Sequence, residues 1–202
     1  MTFNRDVARP PGLEIAAIRQ AIQHIEEKLS EDDFIGLYLE QANIFSALVG
    51  MFGTRALDML SNYEKHRHTH TAQQNFPDLC RRGAPRPLRP EDCLECKASV
   101  RPWAIQSHYD HAGWYIVWRY LVDLTQTIDP EHRALIWRVD LAFLSKEDWK
   151  YEGSRASQSG GGRTHTFGVR RPATRLRGCA VYERPGIALR AGKPVPINGI
   201  DP

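Results

Sequence analysis

The chain has 202 residues, of which 42% are hydrophobic and 25% charged, with 15 glycines and 13 prolines. These are the values of an ordinary folded protein, and they exclude a disordered, collagen-like or coiled-coil chain. The net charge is only +3, so charge alone does not indicate a nucleic-acid-binding protein. The length predicts a single domain over residues 1–202.

The sequence contains no signal for export or membrane insertion. No apolar run approaches the roughly 18 residues of a membrane helix, and residues 1–12 lack the apolar stretch of a signal peptide. We therefore expect a cytoplasmic protein without a membrane partner. Four cysteines are too few for a disulfide scaffold, and they are predicted to be reduced thiols.

Residues 1–62 are predicted to form N-terminal helices. Isoleucines spaced three and four residues apart place an apolar stripe on a helix over 13–29. Residues 34–60 are apolar on more than one face, which predicts two buried helices broken near Gly50 and Gly53. Asp32 or Asp33 is the predicted N-cap of the first of these. Packing of these helices on a sheet could also aim a helix glutamate inward, and the candidates are Glu14, Glu27 and Glu40.

Residues 63–144 are predicted to form the sheet core. Segments 65–71 and 76–79, followed by a Pro/Arg-rich turn and segment 93–100, indicate a hairpin. Polar segment 102–113 predicts a helical turn or two. The aromatic and β-branched segments 114–122 and 133–144 predict the interior strands, and 179–182 one further short strand.

Residues 145–202 form the basic part of the chain, a predicted DNA-recognition segment followed by a tail. Eight arginines face only two glutamates between positions 151 and 190, and a Gly/Ser-rich loop at 157–162 divides this segment. Arginine binds phosphate through two hydrogen bonds and also reads guanine edges. Arg81, Arg82, Arg86 and Arg89 form a second basic cluster. For either cluster, a solvated surface is the alternative.

The candidate catalytic groups of the predicted sheet core are two carboxylates and one ammonium group. Asp78 follows Pro77, and Glu95 and Lys97 lie two residues apart in a predicted strand, so their side chains share one face. A hairpin brings Asp78 beside them. Hydrolysis of a phosphodiester needs a hard divalent ion held by carboxylates, an activated water and neutralisation of the developing charge.

The sequence Pro77-Asp78, followed by Glu95-Cys96-Lys97, resembles the motif of the PD-(D/E)XK nuclease superfamily, to which most type II restriction endonucleases belong. The resemblance covers about residues 63–144. It implies an α/β fold with a restriction-endonuclease-like core, in which a mixed central β-sheet is flanked by helices. In this interpretation Asp78, Glu95 and the Cys96 carbonyl bind Mg²⁺, for which Mn²⁺ can substitute. Lys97 orients or deprotonates the attacking water and stabilises the transition state.

The expected function is metal-dependent cleavage of double-stranded DNA by a homodimeric type II restriction endonuclease, without a nucleotide cofactor. Two active sites serve the two strands of a palindromic target. The alternatives are a repair or mobile-element nuclease of the same fold and a non-catalytic DNA-binding protein. The residues expected to contact DNA are His70, Gln106, His108, Ser154, Arg155, Arg163, Thr164, His165, Thr166, Arg170 and Arg171. Gln106 is also a candidate for the catalytic site, because some superfamily members use a residue of the following helix.

Two competing metal sites are disfavoured by the residue pattern. Cys93 and Cys96 form a Cys-x-x-Cys, but in a strand they point to opposite faces and lack the turn that a zinc site needs. His66, His68 and His70 alternate along a predicted strand without an acidic partner at a defined interval, which favours an exposed polar face.

Overall fold

The structure is a computed structural model and describes residues 2–66, 76–156 and 163–197. These residues form four α-helices and twelve β-strands. The helices are α1 (Ile15–Leu29), α2 (Asp32–Glu40), α3 (Ala42–Leu60) and α4 (Pro172–Arg175). The strands are β1 (Thr2–Phe3), β2 (Tyr63–Lys65), β3 (Leu79–Arg81), β4 (Cys93–Ser99), β5 (Gln106–Ser107), β6 (Gly113–Val122), β7 (Ala134–Leu144), β8 (Trp149–Ala156), β9 (Arg163–Val169), β10 (Ala180–Glu183), β11 (Ile187–Arg190) and β12 (Lys193–Pro196).

Seven strands form the central sheet in the order β1-β10-β7-β6-β4-β3-β2. The β4 and β6 strands are parallel neighbours, and the other paired neighbours of this sheet are antiparallel. The predicted α/β architecture with a mixed central sheet is therefore confirmed. The long apolar strands β6 and β7 correspond to the predicted interior strands, and β10 to the predicted strand at 179–182.

The two faces of the sheet are covered differently. Helices α1 and α3 pack over one face, where Ile18, Ile22, Phe45 and Leu57 meet β6 and β7 in the larger core. The opposite face is covered by a second sheet, in the order β5-β9-β8, and by the residues that follow α4. Segment 102–113 contains the short strand β5 rather than the predicted helical turn, because it pairs with β9.

Helix α3 continues through both glycines, so the predicted break at that point is wrong. The helices instead separate at Gln41, between α2 and α3. Gly53 serves close packing, because a Cβ placed there would lie 2.3 Å from Nε1 of Trp118 on β6. A Cβ at Gly50 would meet nothing within 4 Å. The missing side chain of Gly53 lets α3 approach the sheet closely. No such contact requires a glycine at position 50.

The stretch around the predicted Gly/Ser-rich loop is largely a β-hairpin. Strands β8 and β9 pair antiparallel on either side of residues 157–162, which lie outside the described residues. The tail beyond residue 186 likewise forms a small hairpin of β11 and β12. Among the described residues, no helix has both the length and the apolar character to cross a bilayer.

A buried ionic cluster lies on the face of the central sheet that the β5-β9-β8 sheet covers. Asp140 on β7 accepts hydrogen bonds from Nε of Arg119 (2.9 Å) and Nε of Arg138 (2.6 Å), and all three side chains are buried. Arg119 also donates to the carbonyls of Arg101 (2.9 Å) and Ala104 (2.5 Å). The cluster therefore fixes the backbone that leads into β5. The two carbonyls that Arg119 binds are not hydrogen-bonded within a helical turn, which agrees with the extended course of this segment.

Candidate active site

The candidate site lies where the β3 and β4 strands separate. Their pairing covers only Leu79 with Leu94 and Cys80 with Cys93. Asp78 precedes β3 in a bend, while β4 continues through Glu95 to Ser99 along its other neighbour, β6. The edge of β4 that faces away from β6 is thereby left open beside Asp78.

The three motif residues are in direct or near contact. The amide of Asp78 donates to Oε2 of Glu95 (3.0 Å), and Oδ2 of Asp78 accepts from the amide of Cys96 (2.9 Å). Nζ of Lys97 lies 2.6 Å from Oε1 of Glu95. Because an extended residue presents its N–H and C=O at the same strand edge, the Cys96 carbonyl also faces the Asp78 side. The sequence motif thus becomes one cluster at the open edge of β4.

The electrostatics of the cluster are those of two crowded carboxylates beside one cation. Burial and the neighbouring Glu95 raise the pKa of Asp78 to about 6, against the smaller opposing effect of Lys97. Burial alone would lower the pKa of Lys97, but the charge and hydrogen bond of Glu95 outweigh it and raise that pKa. Lys97 is therefore a protonated ammonium group at neutral pH.

Asp78→Asn is expected to stabilise the metal-free protein at pH 7.5 relative to the wild type, and to give no such gain near pH 4. The folded wild type holds the Asp78 proton up to about pH 6, whereas the unfolded chain releases it at about pH 4. Between these values the folded state holds the Asp78 proton more often than the unfolded chain does, so the contribution of Asp78 to stability falls as pH rises, and Asp78→Asn removes this loss. Urea unfolding at both pH values, with exposed Asp6→Asn as the control, measures this difference. Equal gains at the two pH values would contradict it.

The cluster lies on one wall of an open cleft of about 800 Å³, and helix α3 provides the opposite wall. From α3, Thr54, Arg55 and Asp58 line the cleft, and Lys65 lines it from the end of β2. Sequence reasoning missed these four residues. The available signal was the helical spacing of Thr54 and Asp58, four residues apart, but their orientation depends on where α3 packs.

None of the three predicted helix glutamates enters the cleft. Glu14, Glu27 and Glu40 are all exposed. The helix carboxylate that is buried among the described residues is Glu26, which accepts hydrogen bonds from the Ile136 amide of β7 (2.7 Å) and from Arg184, directly after β10. The acidic helix residue at the cleft is Asp58, because it faces the end of β2 and accepts from the Lys65 amide (3.1 Å).

Of the predicted DNA-contacting residues that the structure describes, only His108 lines the cleft. Its Nδ1 lies 3.2 Å from the His165 carbonyl on β9. Gln106 does not line the cleft, because its amide donates to Glu152 on β8 (3.0 Å). Ser154 and Thr166 are half-buried on the β8–β9 hairpin.

The remaining DNA-contact candidates divide into exposed arginines and undescribed positions. Arg170 and Arg171 are exposed just beyond β9, although Nε of Arg170 donates to the Trp149 carbonyl (2.8 Å). His70 lies outside the described residues, as do the side chains of the other three predicted positions, Arg155, Arg163 and Thr164.

Many of the arginines in the two predicted basic clusters form ion pairs with acidic residues of the protein itself. Arg175 pairs with Asp148 (2.8 Å), and Arg184 pairs with Glu26 and Asp129. In the second basic cluster, three of the four arginines pair with acidic residues: Arg81 and Arg89 with Asp92, and Arg82 with Asp58 and Glu64. Arg86 contacts His66 and Cys80. These arginines hold loops together, which counting charges along the chain did not show.

The cysteines carry no disulfide. Cys80, Cys93, Cys96 and Cys179 are free thiols, and Cys96 packs in the helical core, whereas Cys93 donates to the Arg89 carbonyl (3.3 Å). Burial raises the pKa of the Cys96 thiol well above its ordinary value. Among the described residues, no three His, Cys, Asp or Glu side chains are grouped to hold a metal ion.

No family model, curated protein or solved structure matches this chain. The interpretation of the site therefore depends on the geometry and chemistry of its residues.

Proposed function

We propose that this protein is a metal-dependent endonuclease that hydrolyses phosphodiester bonds of DNA. One observation carries the proposal: the carboxylates of Asp78 and Glu95 and the ammonium group of Lys97 form one cluster in the wall of an open cleft. Two carboxylates that hold a cation beside a protonated donor are suited to a reaction at a phosphate. The resemblance of the motif to that of the PD-(D/E)XK nucleases supports the same chemistry.

The cluster fits a hard divalent cation such as Mg²⁺ or Mn²⁺. Mg²⁺ is commonly bound through one or two protein carboxylates, with water and substrate phosphate completing the coordination. Asp78 and Glu95 would supply these carboxylates and Cys96 a carbonyl oxygen. The pKa of Asp78 is raised first by burial and then by repulsion from Glu95, and a cation bound between the two carboxylates would relieve that repulsion. Below about pH 6, protonation of Asp78 competes with the cation.

When bound, the cation supplies positive charge to the phosphate and lowers the pKa of a coordinated water. Lys97 donates hydrogen bonds to the negative charge that develops on the phosphate. Its raised pKa makes it a donor rather than the base, so of the two roles suggested by the resemblance we assign Lys97 the stabilising one. Glu95 positions Lys97 through the 2.6 Å contact.

The finer proposal is a type II restriction endonuclease that cleaves a specific duplex sequence as a homodimer. The β8–β9 hairpin and the exposed Arg170 and Arg171 support a DNA partner, because they offer cationic surface in the same part of the chain as His165, which contacts the cleft residue His108. Two-fold symmetry would place one active site on each strand.

Incubation of purified protein with plasmid DNA and Mg²⁺ or Mn²⁺, with an EDTA control, tests the proposal. Discrete metal-dependent fragments are expected on a gel. A metal-dependent smear or nicked circle would support an endonuclease of the repair or mobile-element type and overturn sequence-specific restriction. A shift of DNA without cleavage, on both modified and unmodified plasmid, would overturn catalysis in favour of a DNA-binding protein.

A further inference from the structure

The charged side chains that line the cleft are unequally paired. Asp58 is bound by Arg82 (3.1 Å) and Lys97 by Glu95 (2.6 Å). Arg55 and Lys65 also line the cleft and are exposed, but among the described residues neither side chain has an acidic or hydrogen-bonding partner. The cleft therefore contains two cations whose charge is available to a ligand.

These two cations flank the candidate active site from different elements. Lys65 ends β2 in register with Leu79, the residue after Asp78, and lines the same cleft as Asp78. Arg55 lies on α3, directly after Thr54 and three residues before Asp58. Both positions lie on elements that pack against the β3–β4 region, so they form a fixed part of the cleft.

The part of the α3 wall that precedes Arg55 contributes no charge to the cleft. Its lining side chains are small, polar or apolar: Ser46, Ala47, Gly50, Met51, Phe52 and Thr54. The positive charge that α3 offers to a ligand therefore comes from its C-terminal half, the half that leads into β2.

We propose that Arg55 and Lys65 bind the substrate phosphates that adjoin the scissile phosphate on one side. This inference rests on the proposed function, since the scissile phosphate is placed at Asp78, Glu95 and Lys97. A polynucleotide supplies such neighbouring phosphates, whereas an isolated phosphodiester does not. The substrate of the cleft is therefore a polynucleotide strand, bound through its backbone and without regard to base sequence at these positions.

The salt dependence of DNA affinity tests the proposal. All proteins carry Lys97→Met to prevent cleavage, and binding of a labelled duplex is measured in Ca²⁺ over a series of salt concentrations. The double variant Arg55→Gln/Lys65→Gln is expected to bind at least tenfold more weakly. The slope of log affinity against log salt should decrease by about one to two, since each lost phosphate contact removes about 0.9.

The matched control is Arg19→Gln/Lys28→Gln, which removes the same two charges from exposed positions of α1, outside the cleft. It is expected to keep both the affinity and the slope. Arg55→Lys/Lys65→Arg keeps both charges and should restore most of the slope. Equal slopes for the glutamine double variant and its control, with thermal melts showing that both are folded, would overturn the phosphate site.

Cleavage by the unsubstituted protein separates this proposal from the proposed function. Metal-dependent cleavage combined with an unchanged slope would overturn the phosphate site alone. A reduced slope without any cleavage would support the phosphate site and overturn the nuclease. A protein that neither cleaves nor binds DNA would overturn both.

Discussion

Lys97→Ala is expected to lower metal-dependent DNA cleavage by about 10²–10³-fold, the usual loss when one preorganised donor to transition-state charge is removed. Lys97 contacts Glu95 at 2.6 Å, and its raised pKa keeps it protonated at neutral pH. The initial rate of plasmid cleavage measures the loss. Lys193→Ala, an exposed lysine on β12, is the control and should cleave at the wild-type rate.

The pH profile of the residual activity distinguishes this role from a merely structural one. Lys97 lowers the pKa of Asp78, so its removal should move the acidic limb of the profile to higher pH. A destabilised but electrostatically unchanged site would lose rate without this shift. Cleavage by Lys97→Ala at the wild-type rate would contradict the role assigned to Lys97.

Asp140→Ala is expected to lower the free energy of unfolding by about 3–5 kcal/mol, because it removes the buried counter-ion of Arg119 and leaves Arg138 only the exposed Glu183 at 3.5 Å. Asp140 is fully buried and accepts from Arg119 at 2.9 Å and Arg138 at 2.6 Å. Urea unfolding measures the change. Asp32→Ala is the control: Asp32 pairs with Arg133 at 2.8 Å but is 88% exposed, so a loss below about 1 kcal/mol is expected.

The cluster around Asp140 also connects stability to the site. Arg119 holds the carbonyls of Arg101 and Ala104, and the chain then passes through β5 to His108 at the cleft. Asp140→Ala should therefore increase hydrogen exchange in β5 beyond that in α1. An unfolding free energy within about 1 kcal/mol of the wild type would show that the two arginines find other partners or water.

The local pattern of the chain predicted the strands that form the candidate site. Glu95 and Lys97 share a face because side chains alternate along a strand, and this holds whatever packs around them. The hairpin that brings Asp78 beside Glu95 follows from turn residues between two strand-like segments. The interior strands β6 and β7 were predicted for a similar reason, since a segment made up mostly of apolar, aromatic and β-branched residues favours a buried strand.

Long-range packing decided the features for which the local sequence pattern gave a wrong prediction or none. Gly53 resembles a helix breaker, yet it lies within α3, and its lack of a side chain leaves room for Trp118, which is distant in the chain. Arg175 and Arg184 resemble DNA-binding cations, yet distant carboxylates pair with them.

By itself the sequence determined that Glu95 and Lys97 share one face of a strand and that Asp78 lies next to the adjoining strand, because alternation and turns act over a few residues. Only the tertiary structure decided that α3 forms the other wall of the cleft, and that Arg55 and Lys65 remain unpaired there among the described residues while other cations are neutralised. The physical reason is that charge pairing and close packing depend on distances between elements that are remote in the chain.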